Sequence, residues 1–316
     1  MHEKMRGTFE EKEEESMRLI QGHLEHFTKP YIASSHGKDS IVMVHLIWRV
    51  CQKLHIQMPE VWLNHTLNVY KEEKAYWDKF NSWLGIEDRF RVFYPPKDED
   101  GKTQTVWSIA KKYGLPRFRS TANAKSYKDT NIPMCCDILK KQSINTYLKG
   151  LPVDDRYDLN FVGTRAEESQ IRSLGVLQRC RSYFMKTRVA YPKQVVTPLS
   201  FWKAADVLEY FHRYEIPVNP VYAIHNVKRM GCASCPAHIG WESRLASDPT
   251  DEGFGMLKQN LKIMSQSDKP RLKESLKELT KYVKSAKIPE SHRVRVLELC
   301  KSFDHRNFIS DWFAKV

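Results

Sequence analysis

Three groups of residues in this sequence have the types and spacing to do chemistry. The first is Ser34-Ser35-His36-Gly37-Lys38-Asp39-Ser40, a small and polar run between two apolar stretches. A turn of this kind between a strand and a helix exposes backbone N–H groups at the positive helix end and forms an anion cradle. Gly37 lets a phosphate approach the chain closely, Lys38 adds a point charge, and Ser35 and Ser40 supply hydroxyl donors. His36 either touches a phosphate or fills a turn position. Neither GxGxxG nor GxxxxGKS/T is present, so this is a phosphate loop of another kind. The second group is Gly163-Thr164-Arg165-Ala166-Glu167-Glu168-Ser169-Gln170-Ile171-Arg172, which puts Arg165 and Arg172 on one face if the segment is helical. Paired guanidinium groups suit phosphate or sulfate through bidentate hydrogen bonds. The third is four cysteines, the adjacent Cys135 and Cys136 and the C-x-x-C of Cys232 and Cys235. Four thiolates can hold zinc or a four-iron cluster, and a C-x-x-C alone does not choose. Adjacent cysteines are unusual for zinc, because neighbouring residues rarely point both sulfurs at one tetrahedral ion.

The elements that must position these groups alternate along the chain. A leading helix is expected over 10–27, then a strand at Tyr31-Ile32-Ala33, the loop, and a buried helix over 41–54. Strands follow at 60–63, 90–94 and 159–163, with helices over 71–84, 136–148 and 200–214. Strands alternating with helices predict an α/β fold, a doubly wound and mostly parallel sheet covered on both faces. Ligands of such sheets sit at the carboxyl ends of strands, here in the loops after Ala33, Leu63 and Val162. Helical patterns over 254–265, 270–286 and 289–303 predict a small C-terminal helical extension. The expected organisation is an N-terminal helix over 1–29, a nucleotide-binding domain over 30–245 that includes the cysteines, and the helical extension over 246–316.

Composition narrows the class. With 316 residues and 41% hydrophobic content, the chain can bury one large core with a small appended helical domain. No apolar run of about 18 residues or more occurs, and the first residues are rich in Glu and Lys. These features predict a cytoplasmic protein without a membrane partner. The net charge of +13 favours a polyanionic partner such as nucleic acid, with basic runs at Arg117-Phe118-Arg119 and over 269–287. In a reducing compartment, clustered cysteines read as metal ligands sooner than as disulfides. Of the other three, Cys51 and Cys300 read as helix-interior thiols, and Cys180, between Arg179 and Arg181, is a candidate reactive thiol. The tryptophans Trp62, Trp77, Trp83, Trp107 and Trp202 fall mostly on apolar faces and read as core.

The loop at 34–40 resembles that of the PP-loop, adenine nucleotide alpha hydrolase-like ATP pyrophosphatases, and within them the adenylylsulfate and phosphoadenylylsulfate reductase branch. The Gly163-x-Arg165-x-x-x-Ser169 segment, Pro198-Leu199-Ser200-Phe201-Trp202, and Pro217-Val218-Asn219-Pro220-Val221-Tyr222 are similar to the same branch, so the resemblance spans residues 28 to 240. It implies a nucleotide site of Ser34, Ser35, His36, Gly37, Lys38, Asp39, Ser40, Asn64, Thr66, Gly163, Arg165 and Arg172. It also implies a [4Fe-4S] cluster on Cys135, Cys136, Cys232 and Cys235. The assimilatory reductases carry a Glu-Cys-Gly-Leu-His segment near the C-terminus, and this sequence has none. The run Gly37-Lys38-Asp39-Ser40 is intact, as in the ATP-using relatives, among them the ATP pyrophosphatase component of DNA phosphorothioation systems. The resemblance therefore implies ATP with Mg²⁺ as substrate and adenylylation of an acceptor, a DNA phosphate first among candidates. Lys38, Asp39 and Arg165 would be catalytic, and sulfur would come from a cysteine desulfurase or another persulfide donor. Self-association is left open. Two other readings stand beside it: a [4Fe-4S] adenylylsulfate or phosphoadenylylsulfate reductase forming sulfite, and a nucleic-acid-binding module with a structural metal.

Overall fold

The apolar triplet Tyr31-Ile32-Ala33 lies in an inner strand of a six-stranded sheet. The computed structural model describes residues 2–113, 134–185, 193–225, 227, 230–235, 240–267, 269–286 and 288–303. The strands are β1 (Pro30–Ala33), β2 (Glu60–Asn64), β3 (Phe90–Phe93), β4 (Leu159–Val162), β5 (Ser182–Met185) and β6 (Lys193–Val196), in the order β3-β2-β1-β4-β6-β5. All neighbours are parallel except β5, which pairs antiparallel with β6 at the edge. The doubly wound, mostly parallel sheet expected from the alternation is the sheet observed. Strands β5 and β6 were not expected, because each is only four residues long and β6 lies between Pro192 and Pro198.

Chain order runs outward from β1 through β2 to β3, then returns to β4 on the other side of β1. That reversal is a topological switch point, where two loops part and leave a crevice at the carboxyl ends of the strands. Ala33 pairs with Val162, so the loops after β1 and β4 leave the sheet at one level.

Helix α1 (Phe9–Leu24) starts with a capping box between Thr8 and Glu11 and packs on α2 (Lys38–Leu54). The longer helices that follow are α3 (Glu72–Leu84), α4 (Val106–Tyr113), α5 (Ser143–Gly150), α6 (Gln170–Arg179), α7 (Ala204–Arg213), α8 (Trp241–Ser247), α9 (Asp251–Ser267), α10 (Lys269–Ser285) and α11 (Glu290–Ser302), with short ones at His2–Arg6 and Val221–Ile224. On one sheet face Tyr31, Trp62 and Phe93 pack with Leu148 of α5. The register puts Ile32, Val61, Phe161 and Val196 on the other face, all fully buried. Where one helix was expected over 136–148, the chain forms a short turn at Met134–Cys136, a π-helical stretch at Asp137–Gln142, and α5.

Two contact units form. One comprises Met1–His65, Lys71–Tyr94 and Lys141–Pro220, and holds the sheet; the other comprises Thr66–Tyr70, Pro95–Lys140 and Val221–Val316. The leading helix belongs to the sheet unit, with Ile20 fully buried and Lys12 in a 2.8 Å ion pair with Asp206. In the second unit, Trp241, Leu245, Leu257, Leu261, Leu279, Val283 and Val296 form one core. Among the described residues, no helix is long and apolar enough to cross a membrane.

Candidate functional site

The loop after β1 is held from beneath. Ser34 donates its N–H to the Trp62 carbonyl at 2.9 Å, and its hydroxyl accepts the His36 N–H at 3.1 Å. His36 adopts φ +50°, so its side chain turns into the core, fully buried against Phe80 and Phe90, with Nε2 3.3 Å from Asn81 Oδ1. Of the two roles open to His36, the structure shows the turn position. Gly37 is the N-cap of α2 with an extended φ of −80°, so it serves here by lacking a side chain and not by left-handed backbone. Thr8 caps α1 and Ser169 caps α6, whereas the N-cap of α2 is Gly37, and among the described residues no cap side chain bonds its first turn. The helix end is thus open to an anion from solution. Ser35 is exposed, its hydroxyl 3.3 Å from that of Ser40, which donates to the Gly37 carbonyl at 2.9 Å.

Burial holds the His36 imidazole neutral, with its pKa lowered to about 4. The unfolded chain takes up a proton near the ordinary value of about 6.5, so His36 costs nothing at neutral pH. Stability falls as pH drops from 6.5 toward 4, because only the unfolded state then gains the proton. Between pH 7 and pH 5 the parent is expected to lose about 2 kcal/mol more than His36→Gln. Denaturant titrations followed by tryptophan fluorescence at the two pH values measure this, and equal losses would refute it.

The loop after β4 closes against the first. A Cβ on Gly163 would come within 3.1 Å of Ser40 Cα and 3.3 Å of the Asp39 carbonyl oxygen, so a side chain here would press on the backbone of α2 and glycine lets the two segments approach without that strain. Arg165 is 4% exposed and donates from Nε to Asp39 Oδ1 at 2.6 Å and from Nη1 to Glu167 Oε2 at 2.8 Å. Glu167 also accepts the Ala204 N–H at 2.6 Å, which ties the network to the start of α7. Arg165 and Arg172 do not share a helical face. Arg165 precedes a 3-10 turn at Ala166–Glu168, whereas Arg172 lies in the first turn of α6 and pairs with Glu168. The sequence reading missed Glu167, although a carboxylate two residues from a buried arginine is a visible signal. Asn64 accepts the Ser143 hydroxyl at 3.0 Å in the sheet unit.

Thr66 belongs to the second unit, where the Cys232 thiol donates to its hydroxyl at 3.4 Å. All four cysteines of the pattern lie in this unit. The Cys135 thiol is pushed upward by its hydrogen bond with Cys136, by burial, and by the charges of Cys136, Cys235 and Cys232. Lys140 is pushed upward in turn, mainly by the charge of Cys232, with Cys136, Cys235 and Cys135 adding to it. Among the described residues, no three cysteine sulfurs lie within 4.8 Å of one another. One tetrahedral zinc would need sulfurs about 3.8 Å apart. The Cys232-Ala233-Ser234-Cys235 turn is fastened by Asn68, whose carbonyl accepts the Ala233 N–H at 2.7 Å and whose side chain accepts the Ser234 hydroxyl at 3.0 Å. Asn260 donates to the Ser234 carbonyl at 3.0 Å, and Arg244 to the Ala233 carbonyl at 2.6 Å. None of these supports was foreseen. Lys140 could have been, since it stands four residues after Cys136 in a helical pattern.

The other thiols divide. Cys51 and Cys300 are buried and their pKa values are pushed up to about 12 and about 11 by burial, as core thiols. Cys180 is exposed at the C-cap of α6. Of the tryptophans read as core, Trp62, Trp77 and Trp202 are buried and Trp107 partly so, but Trp83 is 43% exposed. The Arg117-Phe118-Arg119 run lies outside the described residues.

The model of a family described as the phosphoadenosine phosphosulfate reductase domain matches residues 29–238, more than half of the chain. Sulfate adenylyltransferase subunit 2 of Magnetococcus marinus is 24% identical over 226 residues, 66% of this chain and 66% of that protein. The same subunit of Maricaulis maris is 23% identical over 226 residues, 66% of this chain and 65% of that protein. The chain thus spans just under two thirds of the length of these relatives. Among solved structures, phosphoadenylyl-sulfate reductase from Candida auris superposes with a TM-score of 0.46 at 15% identity, over 69% of this chain and 87% of that one. The U34-tRNA thiolase NcsA from Methanococcus maripaludis, with its [4Fe-4S] cluster, gives 0.38 at 13% identity, over 81% and 79%.

Proposed function

We propose that this chain, which belongs to the phosphoadenosine phosphosulfate reductase domain family, cleaves ATP between its α and β phosphates and adenylylates an acceptor for sulfur transfer. The observation that carries the reading is the open end of α2 at the switch point. His36 is turned inward beneath it, and Ser35, Lys38 and Asp39 follow in the loop and the first turn of the helix, where a bound nucleotide would meet them. An acceptor oxygen attacks the α phosphorus, the bond to the bridging oxygen breaks, and pyrophosphate leaves with the electron pair. Lys38 and the first-turn amides of α2 offset the charge that grows on pyrophosphate. Asp39, held by Arg165, would be the residue to hold the Mg²⁺ that accompanies ATP. The adenylate then makes the acceptor open to the terminal sulfur of a persulfide donor, with AMP leaving, and a second thiol cleaves the S–S bond so formed, giving the thio product and a disulfide. The chain's net charge of +13 supports a nucleic-acid acceptor, and a DNA phosphate is the acceptor proposed.

Cys135, Cys136, Cys232 and Cys235, whose thiols lie near enough to act on one another, are the residues that would hold a [4Fe-4S] cluster, in which each thiolate binds its own iron. When bound, such a cluster supplies iron that can take up sulfur or an electron. The residues act without it as a preformed frame: Asn68, Asn260 and Arg244 hold the turn, and Lys140 offsets thiolate charge. Of the two thiols a sulfite-forming reductase could use here, Cys300 is 6% exposed with its pKa pushed up to about 11, which counts against it, and Cys180 is exposed.

The test is an anaerobic preparation assayed for iron, acid-labile sulfide and pyrophosphate release from ATP, with and without DNA. About four irons per chain and DNA-stimulated pyrophosphate release are expected. Sulfite formed from adenylylsulfate and reductant without ATP turnover would overturn the proposed activity, and absence of iron would overturn the cluster.

A further inference from the structure

The C-terminal helices carry a charged feature that the nucleotide and cysteine sites do not use. A groove of 840 Å³ between α10 and α11 is rimmed by Lys273, Lys277, Lys281 and Lys284 of α10 and Lys301 of α11. All five are exposed, and among the described residues none is joined to a carboxylate. Glu274 and Glu278 stand three residues before Lys277 and Lys281, yet no ion pair forms. A lysine row on a helix is ordinarily a solvated face whose charges are offset by neighbours. This row is not offset, and it borders a concave surface.

Lys273, Lys277 and Lys281 recur at one helical turn, and Lys284 extends the row to a length of about 16 Å. One strand of duplex DNA carries a phosphate for every 3.4 Å or so of axis, so the row matches about four or five phosphates. Leu276 and Leu297 line the floor, and among the described lining residues none carries an aromatic ring or an amide to read a base edge. Contacts of this kind position a backbone and carry no sequence information.

We propose that this groove docks the phosphodiester backbone of a nucleic acid, independently of sequence. It gives the acceptor of the proposed reaction a place on the chain and rests on that reading for its purpose, though not for its test. Binding of the full chain to a labelled duplex of about 20 base pairs, followed by fluorescence anisotropy at several salt concentrations, measures it. The parent is expected to show a slope of log Kd against log salt of about 4, from five lysine contacts. Lys273→Glu/Lys277→Glu/Lys281→Glu is expected to bind at least about tenfold more weakly near 0.1 M salt and to lose about 3 from the slope. Its Tm should stay close to the parent's, since the three side chains are exposed. Should it fail to fold, Lys273→Gln/Lys277→Gln/Lys281→Gln is expected to show the same loss of slope. Equal affinity and slope in parent and variant overturn the proposal, as does a parent that binds polyglutamate and not the duplex. Pyrophosphate release is measured on the same parent sample. Its absence alongside the expected binding would remove the proposed activity and leave the docking surface standing.

Discussion

Lys38→Ala is expected to lower kcat for pyrophosphate release from ATP by about 10²–10³-fold, with a smaller change in KM. The asymmetry follows from where Lys38 stands. It is the first residue of α2, just past the uncapped Gly37, at the positive end of a helix of 17 residues. In the ground state the helix end and Mg²⁺ share the phosphates with it. As the bond between the α and β phosphates breaks, negative charge grows on pyrophosphate, and a fixed ammonium is worth more there than on bound ATP. Loss of this one charge leaves the amide cradle in place, so activity should fall steeply but not vanish. Lys38→Arg keeps the charge on a broader, planar group and should recover only part of the rate. A continuous assay for pyrophosphate at saturating ATP decides the matter. A kcat within about threefold of the parent would show that the loop does not handle the leaving group.

Much of this site was legible before any coordinates. The run from Ser34 to Ser40 lies between apolar stretches of the right lengths, and β1, the loop and α2 follow with little displacement. The four cysteines singled out by their spacing likewise fall in one contact unit. What escaped the sequence was decided by contacts between distant residues. His36 is an ordinary polar loop residue until Phe80, Phe90 and Asn81 enclose it. Arg165 and Arg172 looked like a pair because their spacing suits a helix. The chain instead breaks at Ser169, whose hydroxyl caps α6 and puts the two on different elements. Thr66 sits two residues from Asn64, yet the local chain hands it to the Cys232 thiol. Short edge strands such as β5 carry too few residues for a pattern to form.

The reassignment of Arg165 can be tested by how its loss combines with that of Asp39. The arginine is only 5% exposed in its side chain and meets two carboxylates, so Arg165→Ala leaves Asp39 and Glu167 without their cation. A stability loss of about 3–5 kcal/mol is expected, toward the lower end because Asp39 keeps 16% of its side-chain surface and Glu167 keeps 40%. ATP affinity should fall with it, since the acid that would orient Mg²⁺ is no longer fixed. Arg165→Lys should rescue little, because one ammonium cannot reproduce the two divergent donors of the fork. If Arg165 works through Asp39, then once Asp39→Ala has been made, removing Arg165 should cost less, with a coupling of about 1–3 kcal/mol in both stability and ATP binding. A double-mutant cycle by denaturant titration and calorimetric ATP binding measures both quantities. Coupling in stability with strictly additive losses in ATP binding would mean that the guanidinium contacts the nucleotide itself. The arginine would then be a phosphate reader, and Asp39 would owe it only its folding.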